Sequence, residues 1–323
     1  MMNRRATFLS LGAMALSPGL RAQADYPQRP ITLVVPFSAG SVVDVQSRLV
    51  ARELSVRLGQ SIIIDNRVGV SGSIGAEYVA RAAPDGYTLL IGTQGTQGTN
   101  SALYKTIRYD PVKDFVAIHA LAGNPNVLVV NPARKFRSVS DLIEYGRKNP
   151  GKLNFGSGGN GTSGHLCLEL LQTMTGARFT HVPYKTTSAA IVDLIAGNVD
   201  AMFDFVQTSR AHIREQKISA IAVTSPSRVR ALPEVPTMIE SGYAAVEALS
   251  WGGVFAPANT PAAVVRRLSD EVGRVMGMPE VQAAFDAVSS VRLDMAHEAF
   301  QAFVISEASK WTEIIRRFGA KIE

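Results

Sequence analysis

One cysteine, Cys167, stands among 323 residues, so no intramolecular disulfide can form and a cysteine-based metal cluster is excluded. The five histidines, His119, His165, His181, His212 and His297, lack metal-ligand spacing such as H-E-x-x-H, which leaves no metal and no metal cofactor to expect. Past residue 24 no apolar run approaches the roughly 20 residues a bilayer span needs. Short repeats and low-complexity linkers are also missing. Lys and Arg are scattered rather than gathered into a stripe, so the formal charge of +6 does not point to nucleic acid. What is present is ordinary: 46% apolar and 19% charged residues, a composition that excludes disordered, collagen-like and coiled-coil classes.

The first 24 residues stand apart. Arg4 and Arg5 precede an apolar stretch from Phe8 to Leu16, and Ala22-Gln23-Ala24 supplies the small residues of a cleavage site. This reads as a signal peptide cut near Ala24, exported by the general or the twin-arginine route. No cysteine follows the cut, so no lipid anchor is expected there. The mature chain is expected to be soluble and periplasmic, with +3 of the formal charge left, a mild excess that suits an anionic small molecule.

From Ile31 onward, short β-branched runs alternate with helical patterns. Strands are expected over residues 31–37, 62–65 and 88–93, with helices through Val45, Leu49 and Leu54 and over 74–83. The same grammar restarts after Asn126: strands over 127–130, 153–155, 179–183, 199–205 and 218–224, with helices over 166–174 and 189–196 and a helix start at Ser138 and Asp141. Such alternation means parallel βαβ units. The fold class is therefore α/β in two lobes with a cleft between them. Residues 25–124 would form the first part of lobe 1 and residues 125–250 lobe 2. Residues 251–323 would return to lobe 1 with helices over 262–276, 280–287 and 300–318.

Two glycine-bearing loops occupy matching strand-to-helix positions. One is Phe37-Ser38-Ala39-Gly40-Ser41; the other is Ser157-Gly158-Gly159-Asn160-Gly161-Thr162-Ser163. Glycine lets backbone approach a ligand closely. The helix that follows begins with unpaired N–H groups, and these with the helix dipole favour an anion by about 0.3–1 kcal/mol. Either loop alone reads as a tight turn with an N-cap; the pair points to a ligand. Gly156, Gly158 and Gly161 also fit a dinucleotide fingerprint, but no acid follows near His181-Val182-Pro183-Tyr184 to hold a ribose. Gly161-Thr162-Ser163-Gly164-His165 is not a nucleophile elbow, because His165 replaces the last glycine. Cys167 stands two residues from His165 on a helix and cannot face it. No catalytic residue is expected, and no cofactor.

Further polar residues have two readings each. His165 can touch a ligand or cap its helix. Asp44 suits loop shaping better than ligand contact. Asp204, at a strand end, can bind a ligand amine, position a water, or make a structural hydrogen bond. Tyr184 ends another strand, with Lys185 beside it. Thr93 and Thr96 face the cleft if strand alternation holds, and Trp251 is read as packing.

Several motifs in order then carry a resemblance running from about Tyr26 to the C-terminus. They are Pro36-Phe37-x-x-Gly40 with Asp44, Ile64-Asp65-Asn66-Arg67, and Ala83-Pro84-Asp85-Gly86-Tyr87. Next come residues 126–132, residues 149–157, His181-Val182-Pro183-Tyr184-Lys185, residues 232–237, and Phe255-Ala256-Pro257. The chain resembles the periplasmic solute-binding component of tripartite tricarboxylate transporters, the Bug family. That resemblance implies a flytrap-like fold closing over a small organic carboxylate, whether dicarboxylate, aromatic carboxylate or amino acid. It implies delivery to membrane permease subunits; a monomer is expected, and the rival readings are a solute sensor signalling to a membrane kinase and an exported enzyme acting on a carboxylate. The ligand loops it implies are residues 37–41 and 157–163. Two departures stand out: Ser41 replaces a second glycine, with Val43 in place of a small hydroxyl residue, and Phe205 replaces an asparagine. Phe205 would make the far end of the pocket more apolar.

Overall fold

The computed structural model describes residues 26–318, so the expected signal peptide lies outside the described residues. The chain runs β1 (Ile31–Val35), α1 (Val42–Leu58), β2 (Ile62–Asn66), α2 (Ser73–Ala80), β3 (Thr88–Thr93) and α3 (Asn100–Leu103). A 16-residue strand, β4 (Phe115–Val130), leads to α4 (Val139–Lys148), β5 (Asn154–Ser157), α5 (Ser163–Thr175), β6 (Thr180–Pro183) and α6 (Thr187–Ala196). Then follow β7 (Ala201–Phe205), α7 (Val206–Arg214), β8 (Ser219–Val223), β9 (Leu249–Pro257), α8 (Ala262–Met276), α9 (Pro279–Ala287), β10 (Val291–Arg292) and α10 (His297–Phe318).

Local chemistry explains many of these boundaries. Ser138 and Asp141 form a reciprocal capping box that starts α4. Ser41 accepts a hydrogen bond from the Asp44 N–H and caps α1. At Gly164 a Cβ would stand 2.4 Å from the Phe203 carbonyl, so only glycine lets α5 lie this close to β7.

The strands lie in the order β2-β1-β3-β9-β4-β7-β5-β6, with β8 and β10 also paired to β4. Pairs β1–β2, β1–β3, β5–β6 and β5–β7 are parallel, as the βα alternation requires. Expectation and structure part at the two long strands. β4 and β9 run antiparallel to their neighbours, and β4 begins at Phe115 rather than near Val127. Gly123-Asn124-Pro125-Asn126 reads as a strand break. It is tolerated because Pro125 sits where β4 exchanges partners, pairing β9 up to Leu249 and β7 from Asn126 onward. Helix α7 also went unread, since its sequence VQTSRAHIR is mostly polar.

Two apolar clusters sandwich the first part of the sheet. One joins Leu33, Ile91 and Val254 to Leu54 of α1 and Leu268 of α8. The other, on the opposite face, holds Trp251, Phe255 and Phe300. A third packs Leu128, Phe155 and Phe203 with Leu171 of α5. α10 was expected to pack back on lobe 1. Its Phe300 and Val304 sit in the aromatic cluster with Trp251, while Trp311, Ile314 and Ile315 enter the cluster of Leu128 and Phe155. A 22-residue helix spans about 33 Å, long enough to serve both. Among the described residues no helix is long and apolar enough to cross a membrane.

Candidate solute-binding cleft

Strand register brings the two halves to one place. Thr93 ends β3 opposite Gly252 of β9, and Gly252 faces Ala122 of β4. Phe205 ends β7 opposite Asn126 of β4. Carboxyl ends of strands from both halves therefore meet the same stretch of β4, residues 122–126. In open α/β sheets ligands bind outside those ends.

The first loop, residues 37–41, turns at Gly40 with φ of 81°, a left-handed conformation suited to glycine. Ser38, Ala39 and Gly40 are exposed, and Phe37 and Ser41 half-buried. Asp44 holds the loop from beneath. Its carboxylate accepts from the Gly40 N–H at 2.9 Å, from Arg48 Nε at 2.8 Å and from Asn66 Nδ2 at 2.8 Å. The bond from Arg48, with those from Asn66 and Gly40, holds the Asp44 carboxyl down at about 2 despite its burial. The other proton of Asn66 Nδ2 goes to the Phe37 carbonyl at 2.9 Å. Asp44 thus shapes the loop.

The second loop is built on two histidines. Ser157 is fully buried and pairs with His181 Nε2 at 2.6 Å, while its hydroxyl oxygen accepts from the Gly159 N–H at 3.1 Å. His165 lies under the loop and accepts the Gly161 N–H on Nδ1 at 3.0 Å. The two imidazoles stack with centroids 4.1 Å apart. Burial, with His165 against it, holds His181 down at about 4, so the pair is neutral near pH 7 on the His181 side. Thr162 gives its hydroxyl proton to the Gly159 carbonyl at 2.7 Å and does not cap α5. The N-cap residue of α5 therefore makes no side-chain cap bond, whereas Ser41 caps α1. Gly158 and Gly159 are half-buried and Asn160 exposed, beside that open helix start.

Other expected site residues are placed by their partners. Thr93 stays half-buried and lines a crevice with Val43, Gln46, Asn124 and Ser250. Thr96 is fully buried, and its hydroxyl oxygen accepts the Thr93 N–H at 2.9 Å. Asp204 accepts on Oδ2 from Thr208 and from Ser209 of α7, the latter at 2.6 Å, while its Oδ1 is buried without a partner, and burial raises its carboxyl above the usual range. Tyr184 gives its proton to Asp193 of α6 at 2.6 Å. Phe205 is half-buried next to Asn126, whose side chain reaches Ser163 at 2.7 Å. Directly paired residues share a sheet face, so Phe205 flanks the second loop. Thr96, Asp204 and Tyr184 are thus engaged inside the protein, as are Ser157 and His165 beneath the loop. Trp251 is packing: its indole is buried and its Nε1 donates to Glu307 at 3.0 Å.

The model of the tripartite tricarboxylate transporter family receptor matches residues 46–320. The chain belongs to this receptor family. Protein BugT of Bordetella pertussis is 33% identical to the receptor over 326 residues, covering 100% of both chains. Among solved structures, Rpa4515 of R. palustris with adipate is 38% identical, with a TM-score of 0.73, covering 91% of this chain and 99% of that one. MatC from Rhodopseudomonas palustris with bound malate is 31% identical, with a TM-score of 0.70, covering 90% and 100%.

The receptor has cleft residues that sequence reading missed. Gln46, Asn124, Asn126 and Ser250 line it or brace it. So does the turn at Gly69–Gly72, where a Cβ on Gly72 would lie 3.5 Å from the Phe37 ring. One signal was available: asparagines two apart in an otherwise apolar strand mark one polar spot on one face. The turn offered only a G-V-S-G run, which names no partner.

Proposed function

We propose that this receptor captures a small carboxylate, foremost a dicarboxylate, between two lobes and delivers it to a membrane permease. The lobes are residues 26–124 with most of 251–318, and residues 125–250. The observation that carries this reading is that the helices following loops 37–41 and 157–163 both reach one stretch of β4, Gln46 of α1 through Ser290 to Asn124 and Ser163 of α5 to Asn126, with the start of α5 left without a side-chain cap. Glycine-rich backbone and helix-start N–H groups suit an anion. The adipate and malate named with the two solved relatives are both dicarboxylates, which supports the same class. Export by a signal peptide at residues 1–24 belongs to this reading, as do a monomeric state and a binding rather than catalytic role.

Capture works by population shift. A solute bonded to both loops favours the closed lobes, and moving from 1:99 to 99:1 takes about 5.5 kcal/mol of differential affinity. Two helix starts and several charge-assisted hydrogen bonds, at about 1.5–3 kcal/mol each, supply that.

A thermal-shift panel tests the proposal. Adipate, malate, citrate, acidic amino acids and aromatic acids such as terephthalate are added to protein first unfolded and refolded to strip bound solute. A solute at 100 times its Kd adds about 2.7 kcal/mol, equivalent to about 5–11 °C in melting temperature. A panel with no shift rejects the carboxylate reading.

A further inference from the structure

Beyond His119, β4 carries only two polar side chains, Asn124 and Asn126, in the run LAGNPNVLVV. Standing two apart on a strand, they point to the same face. Yet they reach opposite halves of the molecule. Asn126 Nδ2 donates to Ser163 Oγ at 2.7 Å, and Ser163 is the first residue of α5. Asn124 Oδ1 accepts from Ser290 Oγ at 2.5 Å, and Ser290 Oγ accepts from Gln46 Nε2 of α1 at 2.9 Å. Two sets of hydrogen bonds, joined only by the backbone of β4, thus tie α1 and α5, the two helices that follow the candidate ligand loops, to one strand.

The strand does not need these side chains to stay in the sheet. The Asn126 N–H donates to Thr224 Oγ1, and its carbonyl accepts the Thr224 N–H at 2.9 Å. Between the two asparagines stands Pro125, which has no N–H to give, so the ladder is weakest there. Asn126 is 1% exposed and Ser290 4%, so losing either bond strands a buried polar group.

We propose that Asn124 and Asn126 are positioning residues that tie both solute loops to one crossing strand, setting the lobe angle at which a solute can bond both. This rests on the solute-binding reading and names the relay within it.

Spin labels on Val56→Cys in α1 and Val192→Cys in α6, which are 77% and 64% exposed, report the lobe separation. Cys167 is buried and does not take label. The parent is compared with Asn124→Ala, Asn126→Ala, Ser163→Ala and the Asn126→Ala/Ser163→Ala double variant. Each is expected to broaden the distance distribution without solute and to weaken adipate or malate binding about fivefold, the worth of one hydrogen bond. The double variant should be no worse than either single, because the two share one bond. Asn126→Leu or Asn124→Leu, close in volume but without the amide, replaces the alanine variant at the same position where that variant fails to melt cooperatively. An unchanged distribution in folded Asn124 and Asn126 variants overturns the proposal. If the parent binds neither adipate nor malate, the dicarboxylate reading fails, and the distance distributions still decide the role of the asparagines.

Discussion

In the proposed cleft Asp44 and Phe205 stand at different loops, Asp44 holding the backbone of the first and Phe205 lying beside the Asn126 that bonds the second. Asp44 keeps the Gly40 N–H, Arg48 and Asn66 in one arrangement. Its carboxyl is held at about 2, below its ordinary 3.8, so it binds a proton more readily when the chain is unfolded. Its stabilisation is therefore complete above about pH 4 and fades as pH falls through 2. Asp44→Ala should cost about 2 kcal/mol in urea unfolding at neutral pH, with the gap to the parent closing in acid. A gap that stays constant from pH 7 to pH 2.5 would count against this. Phe205 pairs with Asn126, whose side chain bonds Ser163 at the end of the second loop. Phe205→Asn should weaken an aromatic acid such as terephthalate several-fold more than citrate or malate, read by calorimetric titration, because only the aromatic solute loses apolar burial. Equal losses for all three would reject an apolar pocket end.

At the scale of elements, α10 is the tie between the two cores. Both tryptophans of the chain, Trp251 on β9 and Trp311 on α10, donate to the same Glu307 Oε2, at 3.0 and 2.9 Å. Lys310 pairs with the other carboxylate oxygen, and Glu307 is buried. Glu307→Leu would leave two buried indole N–H groups and one cation without their acceptor. Breaking such a buried group costs about 3–5 kcal/mol. Urea unfolding followed by tryptophan emission should show that loss; a change under about 1 kcal/mol would mean α10 is held by apolar packing alone. The short elements were legible because capping and periodicity are local: β3, α4 and α8 stand where Ser138, Asp141 and the apolar spacing place them. β4 was not, since Gly123-Asn124-Pro125-Asn126 has the composition of a turn, and only its partners on both sides keep it extended.

For the molecule as a whole, the residues near each other in sequence carried most of the functional reading. Loops 37–41 and 157–163 were visible as glycine-bearing strand-to-helix turns, since backbone freedom and helix-start polarity depend on residues within one turn. Family membership followed from ordered motifs along nearly the full chain. The tertiary structure decided what those loops face. It turned Thr96, Asp204 and Tyr184 toward internal partners, ran β4 and β9 antiparallel through both halves, and sent the end of α10 into the second core. Strand sense and ties such as that of Gln46 with Ser290, 244 residues apart, depend on distant partners, so local patterning carries no record of them, whereas Thr96, Asp204 and Tyr184 bond residues within nine positions of themselves.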